Sequence, residues 1–236
     1  MNFFAKKDGE IHYNTARLYL NLAIILAKKG ETAKADEYYQ TGEKCFSQFP
    51  DKNLSNFFVG AQARYEIAKG NLSNAEKLLE TSIAENTYDR DSQLSKGLLV
   101  ILRLLYLQDK NYQKLADLSK EEFERAKQDI PRDEFKIGLI NLEIATALYR
   151  SGKNEEAIKY FDEGFPVYKT LPADSLSRLN FNENISECLF NQKRYAEAKP
   201  ILENVVAFHL ENYPPNHEDI PKFKEMLDKT KANLKE

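Results

Sequence analysis

The sequence predicts an all-α protein, a solenoid of five antiparallel helix pairs closed by a C-terminal capping helix. Three observations predict it. Apolar residues recur at three- and four-residue steps along most of the 236 residues, the period of an amphipathic helix, and no stretch alternates as a strand does. An apolar helical stretch, a short polar break and a second helix opening on a small residue follow one another five times. The breaks fall at Gly30, Gly70, Lys110, Gly152 and Lys193, at intervals of 40, 40, 42 and 41 residues. Finally, Pro50, Pro131, Pro172 and Pro214 each stand 20 or 21 residues after a break. Proline has no N–H and its ring clashes with the preceding turn, so these residues mark where second helices stop.

Taken in order, residues 1–9 are an N-terminal stub. Phe3 and Phe4 precede a polar loop, Lys6 to Glu10, in the form of the tail of an earlier second helix. Either this segment packs on the first repeat as a stub or the chain is cut from a longer array, and the missing cap favours the second. Five repeats follow, approximately 10–50, 51–89, 90–131, 132–172 and 173–215. In the first, Leu18, Leu22, Ile25 and Leu26 form the expected inner stripe. In the fourth it is Ile137, Ile140, Ile144 and Leu148, and in the fifth Phe181, Ile185 and Leu189. Pro166 and Pro200 fall inside second helices and should bend them or shift their hydrogen bonding. Residues 216–236 form the capping helix, with Asp219 expected at its N-cap, Pro221 in its first turn, and Phe223, Leu227 and Leu234 facing inward. Helix pairs of a solenoid bury their apolar faces against their neighbours, so the repeats are expected to form one continuous domain.

The repeats read NLAIILAKKGETAKADEYY, AQARYEIAKGNLSNAEKLL, LLYLQDKNYQKLADLS, IATALYRSGKNEEAIKYF and ISECLFNQKRYAEAKPIL. This pattern resembles the tetratricopeptide-repeat (TPR) superfamily, nearest its kinesin-light-chain type with a repeat of about 42 residues. The fifth repeat carries the features of that type at Tyr195, Ala198, Pro200 and the Pro214-Pro215-Asn216-His217 turn. The family places a small residue in each helix where the pair comes closest. Here the first-helix position holds Ala23, Ala63, Arg103, Ala145 and Ser186, and the second-helix position Ala35, Ala75, Leu115, Ala157 and Ala198. The third repeat departs at both, so its pair should splay or shift register. The resemblance implies a right-handed superhelix with the first helices lining a concave groove.

Composition narrows the chemistry. Hydrophobic residues at 42% and charged residues at 30% describe a core-forming chain. A net charge of −3 argues against a broad basic surface for nucleic acid. No apolar run is long enough to span a membrane and no signal-peptide core opens the chain, so the expected location is cytoplasmic. Phosphate-binding glycine loops, zinc-protease motifs and nucleophile elbows are absent from the sequence. Cys45 and Cys188 read as small packing residues, and His12, His209 and His217 share no face. The pairs Glu121-Glu122 and Glu155-Glu156 read as helix-start residues favoured by the dipole. No enzyme, cofactor or metal is expected.

What remains is a surface for a protein or peptide segment. The concave groove implied by the resemblance takes Arg17, Leu20, Asn21 and Ile24 from the first repeat, Phe57, Ala61 and Arg64 from the second, and Val100, Ile101, Leu104 and Leu107 from the third. The fourth supplies Leu142, Glu143, Thr146 and Tyr149, the fifth Asn180, Glu183, Asn184 and Glu187. Ile101, Leu104 and Tyr149 are the expected apolar anchors, Arg17 and Arg64 the contacts for an acidic part of the partner. Asn21 and Asn184 are hydrogen-bonders to its backbone, Glu183 and Glu187 lie towards the opposite end, and Glu143 is a further groove residue. The apolar middle equally suits packing against a longer second helix or self-association with another copy. The alternative function is the peptide-sensing region of a larger bacterial regulator or sensor kinase.

Overall fold

The structure is a computed structural model that describes residues 13–48, 52–85, 93–172 and 176–235. The stub, His12 and Pro50 lie outside the described residues. The described elements are eleven α-helices: α1 Tyr13–Lys28, α2 Thr32–Phe46, α3 Lys52–Ala68, α4 Leu72–Glu85, α5 Gln93–Gln108, α6 Tyr112–Ala126, α7 Glu134–Arg150, α8 Asn154–Thr170, α9 Leu176–Asn191, α10 Tyr195–Asn212 and α11 Asp219–Leu234. Among the described residues there is no strand.

Each sequence break ends a first helix in the same way. Gly30, Gly70 and Gly152 take φ of 78°, 83° and 84°, and Lys110 and Lys193 take 56° and 60°. A left-handed residue turns the last carbonyls back onto the chain. The Gly30 N–H donates to Ala27 O at 3.0 Å and the Glu31 N–H to Leu26 O at 3.0 Å. The paired bonds recur at Gly70 and Asn71, Gly152 and Lys153, and Lys193 and Arg194. Lysine holds this conformation at two breaks although it costs a side-chain residue ~1–2 kcal/mol. The next helix starts with a side-chain cap at Asn111, whose Oδ1 accepts from the Lys114 N–H, and Asp133 does the same for Lys136.

The chain divides into two compact units, Met1–Lys110 and Asn111–Glu236. The boundary falls between α5 and α6, where bulky Arg103 and Leu115 stand in place of the small residues of the other pairs.

In the first unit α1 packs on α2, α3 on α4, and α3 on both α1 and α5. Ala23, Ala35, Ala63 and Ala75 are fully buried at the close approaches. The inner stripe of α1 is not the one its large residues suggest. Ala16, Leu20, Ala23 and Ala27 are buried, whereas Leu18 and Ile25 are 40% and 50% exposed. The helix is apolar around most of its circumference, so bulk does not select a face. Small residues select it, because they let α2 come close: a β-carbon at Gly42 would lie 2.9 Å from Leu20 Cγ. Successive pairs are also tied by polar bonds. The Tyr65 hydroxyl donates to Asp36, which also receives Lys69 Nζ at 2.9 Å, and the Tyr106 hydroxyl donates to Glu80 at 2.8 Å.

In the second unit one core runs from α7 to α11, from Leu142 and Phe161 through Ile185, Leu189 and Leu202 to Phe223 and Leu227. Sharing of one core between neighbouring pairs is the solenoid principle. Ile137, Ile140, Ile144 and Leu148 are all buried, as their spacing predicts. α8 and α10 run on through Pro166 and Pro200. Both prolines are exposed, as are Asp162 and Ala196, whose carbonyls lose an N–H partner, so water can take the freed acceptors. Two local expectations are corrected. Asp219 is the first residue of α11 rather than its cap: Glu218 holds the cap position with no side-chain bond, and Asp219 contributes its charge to the first turn. Glu121 and Glu122 lie in the second half of α6, not at a helix start, whereas Glu155 and Glu156 do open α8.

Candidate binding faces

In the first unit the candidate residues separate into surface and interior. Arg17, Asn21 and Arg64 are exposed, and the Arg17 guanidinium lies 5.0 Å from the centre of the Phe57 ring. Leu104 is 59% exposed, with Val100 and Leu107 beside it on the same side of α5 at 55% and 44%. Ile101 is instead only 6% exposed. It fills the space that Gly60 of α3 leaves, since a β-carbon there would lie 3.3 Å from Ile101 Cδ1. Its side chain therefore belongs to helix packing, not to an open face. Leu20 and Ala61 are buried in the same way.

Charge is sorted between the two helix rows of this unit. The first helices α1, α3 and α5 carry six cationic residues, Arg17, Lys28, Lys52, Arg64, Lys96 and Arg103, and one carboxylate, Glu66. Glu66 Oε2 accepts from Asn71 Nδ2 at 2.8 Å. The second helices α2 and α4 carry three cationic residues and six carboxylates. In the second unit the first helices α7 and α9 show no such excess, with three cationic residues and four carboxylates.

The second unit brings Tyr149 and Glu187 together. The Tyr149 hydroxyl donates to Glu187 Oε2 at 3.3 Å and accepts from Asn191 Nδ2 at 2.7 Å. Lys222 of α11 forms an ion pair with the other oxygen, Glu187 Oε1. Burial, and then the Glu187 carboxylate beside it, raise the Tyr149 hydroxyl above the ordinary tyrosine range. Tyr149 is thus a polar hub as well as an aromatic surface, and both oxygens of Glu187 are occupied. Glu143 and Asn184 are half-buried, and Asn184 shares a small cavity with Tyr149 and Cys188. Leu142 is buried, and Glu183 is held by His209 Nε2 at 2.8 Å. The sequence pattern singles out neither Asn191 nor Lys222. Lys222 lies 35 positions from Glu187, and its own helix pattern marks only a solvated residue.

A second feature has no counterpart in the sequence reading. An open cleft of about 770 Å³ lies between α6 and α8, with Ile137, Gly138 and Asn141 of α7 at its base. Asn141 is 3% exposed; its Nδ2 donates to Glu163 at 3.2 Å and its Oδ1 accepts no hydrogen bond among the described residues. Of its lining, Phe123 meets Tyr160 edge to face, and Glu156 pairs with Lys120 at 2.6 Å.

Cys45 and Cys188 are buried free thiols, and burial raises both above the usual cysteine range. Among the described residues no group of His, Cys, Asp and Glu could hold a metal ion, and no helix is long and apolar enough to cross a membrane.

Two tetratricopeptide-repeat family models match the chain, at residues 16–44 and 183–219. These segments cover the turn between α1 and α2, and α10 with the turn beyond it. Solved structures with the same fold include the kinesin-light-chain TPR-like repeats of Podosopora anserina. They are 19% identical with a TM-score of 0.52, and cover 77% of this chain and 88% of that one. A point variant of that protein aligns with a TM-score of 0.53, at 19% identity, over 77% of this chain and 87% of its own. No curated protein sequence matches the chain. The first and the last repeat of this chain thus match tetratricopeptide-repeat models, and the solved structures share the fold of the array.

Proposed function

We propose that this tetratricopeptide-repeat chain is a non-catalytic scaffold that binds a segment of another protein on the exposed side of its first helices. The observation that carries the reading is the aliphatic stripe Val100, Leu104 and Leu107, left open on α5 within reach of a polypeptide. Helices of a repeat array usually bury such residues against a neighbour, and an exposed row of them is a docking feature. Arg17, Asn21 and Arg64 supply polar contacts on the same unit. Glu143, Tyr149, Asn184 and Glu187 form a second contact surface on the other unit. Its affinity comes from the Tyr149 ring and Asn184, since the Glu187 carboxylate is already engaged.

The test is affinity capture with the whole chain, identification of the bound protein, and titration of its purified segment. Truncating an anchor costs ~2 kcal/mol, about thirtyfold in affinity. Leu104→Ala should weaken binding by that order while the unfolding midpoint stays near wild type, and Tyr149→Ala should weaken it too when titrated well below its own, lower midpoint. Lys77→Ala, on the outer side of α4, should not. Equal binding by all three would move the site off the first helices.

A further inference from the structure

The geometry points to an acidic, amphipathic segment as the partner class of the first unit. The inference rests on the proposed docking role of the first helices and specifies what they take. Three observations carry it. On α1 the exposed residues Arg17, Leu18, Asn21, Ile25 and Lys28 follow one another at steps of about one helical turn or less. On α5 Lys96, Val100, Leu104 and Leu107 do the same, and Arg64 stands exposed on α3 between them in the packing order. The open sides of these helices thus present cations and branched aliphatics, and no exposed carboxylate. The row as a whole holds six cationic residues against one carboxylate, while the second helices behind it are net acidic.

A surface of this kind selects by two criteria at once. Exposed aliphatic side chains give affinity only to a partner with its own apolar stripe. Exposed cations such as Arg64 and Lys96, with no exposed carboxylate on their own helices, raise the encounter rate of acidic partners and disfavour basic ones. An amphipathic helix with leucines on one side and glutamates along its flanks meets both. A nucleic acid meets only the second, because Val100, Leu104, Leu107 and Ile25 provide no stacking surface for bases.

The experiment uses the full chain and a fluorescein-labelled peptide of about 18 residues, long enough to form a helix. It carries leucines at i, i+4 and i+7, glutamates at the positions flanking them, and alanine at the rest. Matched probes replace every glutamate by lysine, or every leucine by serine, and a single-stranded oligonucleotide serves as competitor. The acidic leucine peptide should bind, and its affinity should fall severalfold between about 50 and 200 mM salt as the charges are screened. The lysine and serine peptides should bind at least about tenfold more weakly. The double variant Arg64→Glu/Lys96→Glu should lose at least about tenfold for the acidic peptide. Leu104→Ser should lose a similar factor, and Lys77→Ala nothing. Thermal melting of each variant checks that the fold is kept.

Equal or tighter binding of the lysine peptide, with loss in Leu104→Ser, would overturn the acidic partner and leave the docking face standing. Absence of peptide binding, alongside a captured segment still sensitive to Leu104→Ala, would do the same. Displacement of the acidic peptide by the oligonucleotide at lower concentration would assign the cations to nucleic acid instead. Binding unaffected by every variant would overturn both the partner class and the docking face.

Discussion

A β-carbon on Gly164 would lie 2.9 Å from the carbonyl oxygen of Gly138, so α7 and α8 meet backbone against backbone. Val167 closes the same contact from the other side, 2.2 Å from where a β-carbon on Gly138 would be. In an ordinary helix interior, replacing glycine by alanine stabilises by ~1 kcal/mol. At Gly164 the obstacle is rigid backbone, so Gly164→Ala should destabilise by ~1–3 kcal/mol. Gly97 of α5 has nothing within 4 Å of its missing β-carbon. There Gly97→Ala should stabilise by ~0.5–1 kcal/mol. Urea midpoints of the two variants should therefore move in opposite directions.

Ala157 and Leu115 occupy the same repeat position and are both buried, at 0% and 4% exposure. Ala157→Leu overpacks a close approach and should cost ~1–3 kcal/mol. Leu115→Met keeps the volume that its site already accommodates and should cost less than ~1.5 kcal/mol. Comparable midpoints for the two variants would mean that the repeat register is misplaced.

The two lysines at left-handed breaks offer the reverse case. Glycine at Lys110 or Lys193 removes the strain of a side chain at positive φ, ~1–2 kcal/mol, and gives back ~0.5–1 kcal/mol in unfolded-chain entropy. The difference leaves each substitution stabilising by up to ~1.5 kcal/mol, ~0.7 kcal/mol at mid-range. Gly152→Ala, at φ of 84°, should lower it by about 1 kcal/mol. Thermal melts of the three variants check the sign.

Asp36 predicts a pH effect. The hydrogen bond from Tyr65, then that from Lys69, hold its carboxyl below the ordinary aspartate value. A carboxyl depressed in the folded state contributes stability that is present above the unfolded value, ~4, and is lost as pH falls through the lower folded value. Tyr65→Phe keeps the stack of residue 65 on Tyr39, whose rings lie 4.3 Å apart, and removes the strongest bond to the carboxylate. The Asp36 carboxyl carbon, followed by NMR, should then titrate at higher pH than in wild type. An unchanged titration would show that Lys69 alone sets it.

The regular part of the fold was legible because it depends on local chemistry. Gly30, Gly70 and Gly152 announce left-handed turns, and their spacing places Lys110 and Lys193 in the same role despite their side chains. The inner stripe of α7 was legible because that helix is buried on most of its circumference, so its apolar row meets a neighbour whichever side is chosen. That of α1 was not, because Leu18 and Ile25 are as apolar as Leu20, and the choice between them is made by Gly42 of α2. The surface followed the same division. Exposure of Arg17, Asn21, Arg64 and Leu104 follows from their place on a first helix. Burial of Ile101 follows from Gly60 on a different helix pair, and engagement of Glu187 follows from Lys222 on the last helix. Contacts of that sequence separation leave no periodic signal.

The sorting of charge in the first unit also has a consequence for how the molecule moves before it binds anything. Cations on one helix row and carboxylates on the other make that unit an electric dipole directed across its helices rather than along them. In the field of an approaching polyanion such a body experiences a torque as well as an attraction. It rotates its α1, α3 and α5 side forward during the encounter, so a larger share of collisions begin in a usable orientation. The gain vanishes once the separation exceeds a screening length of ~8 Å at physiological salt. A unit of the same net charge with its two rows made alike would lose this rotational guidance, and its association rate would depend on salt less steeply.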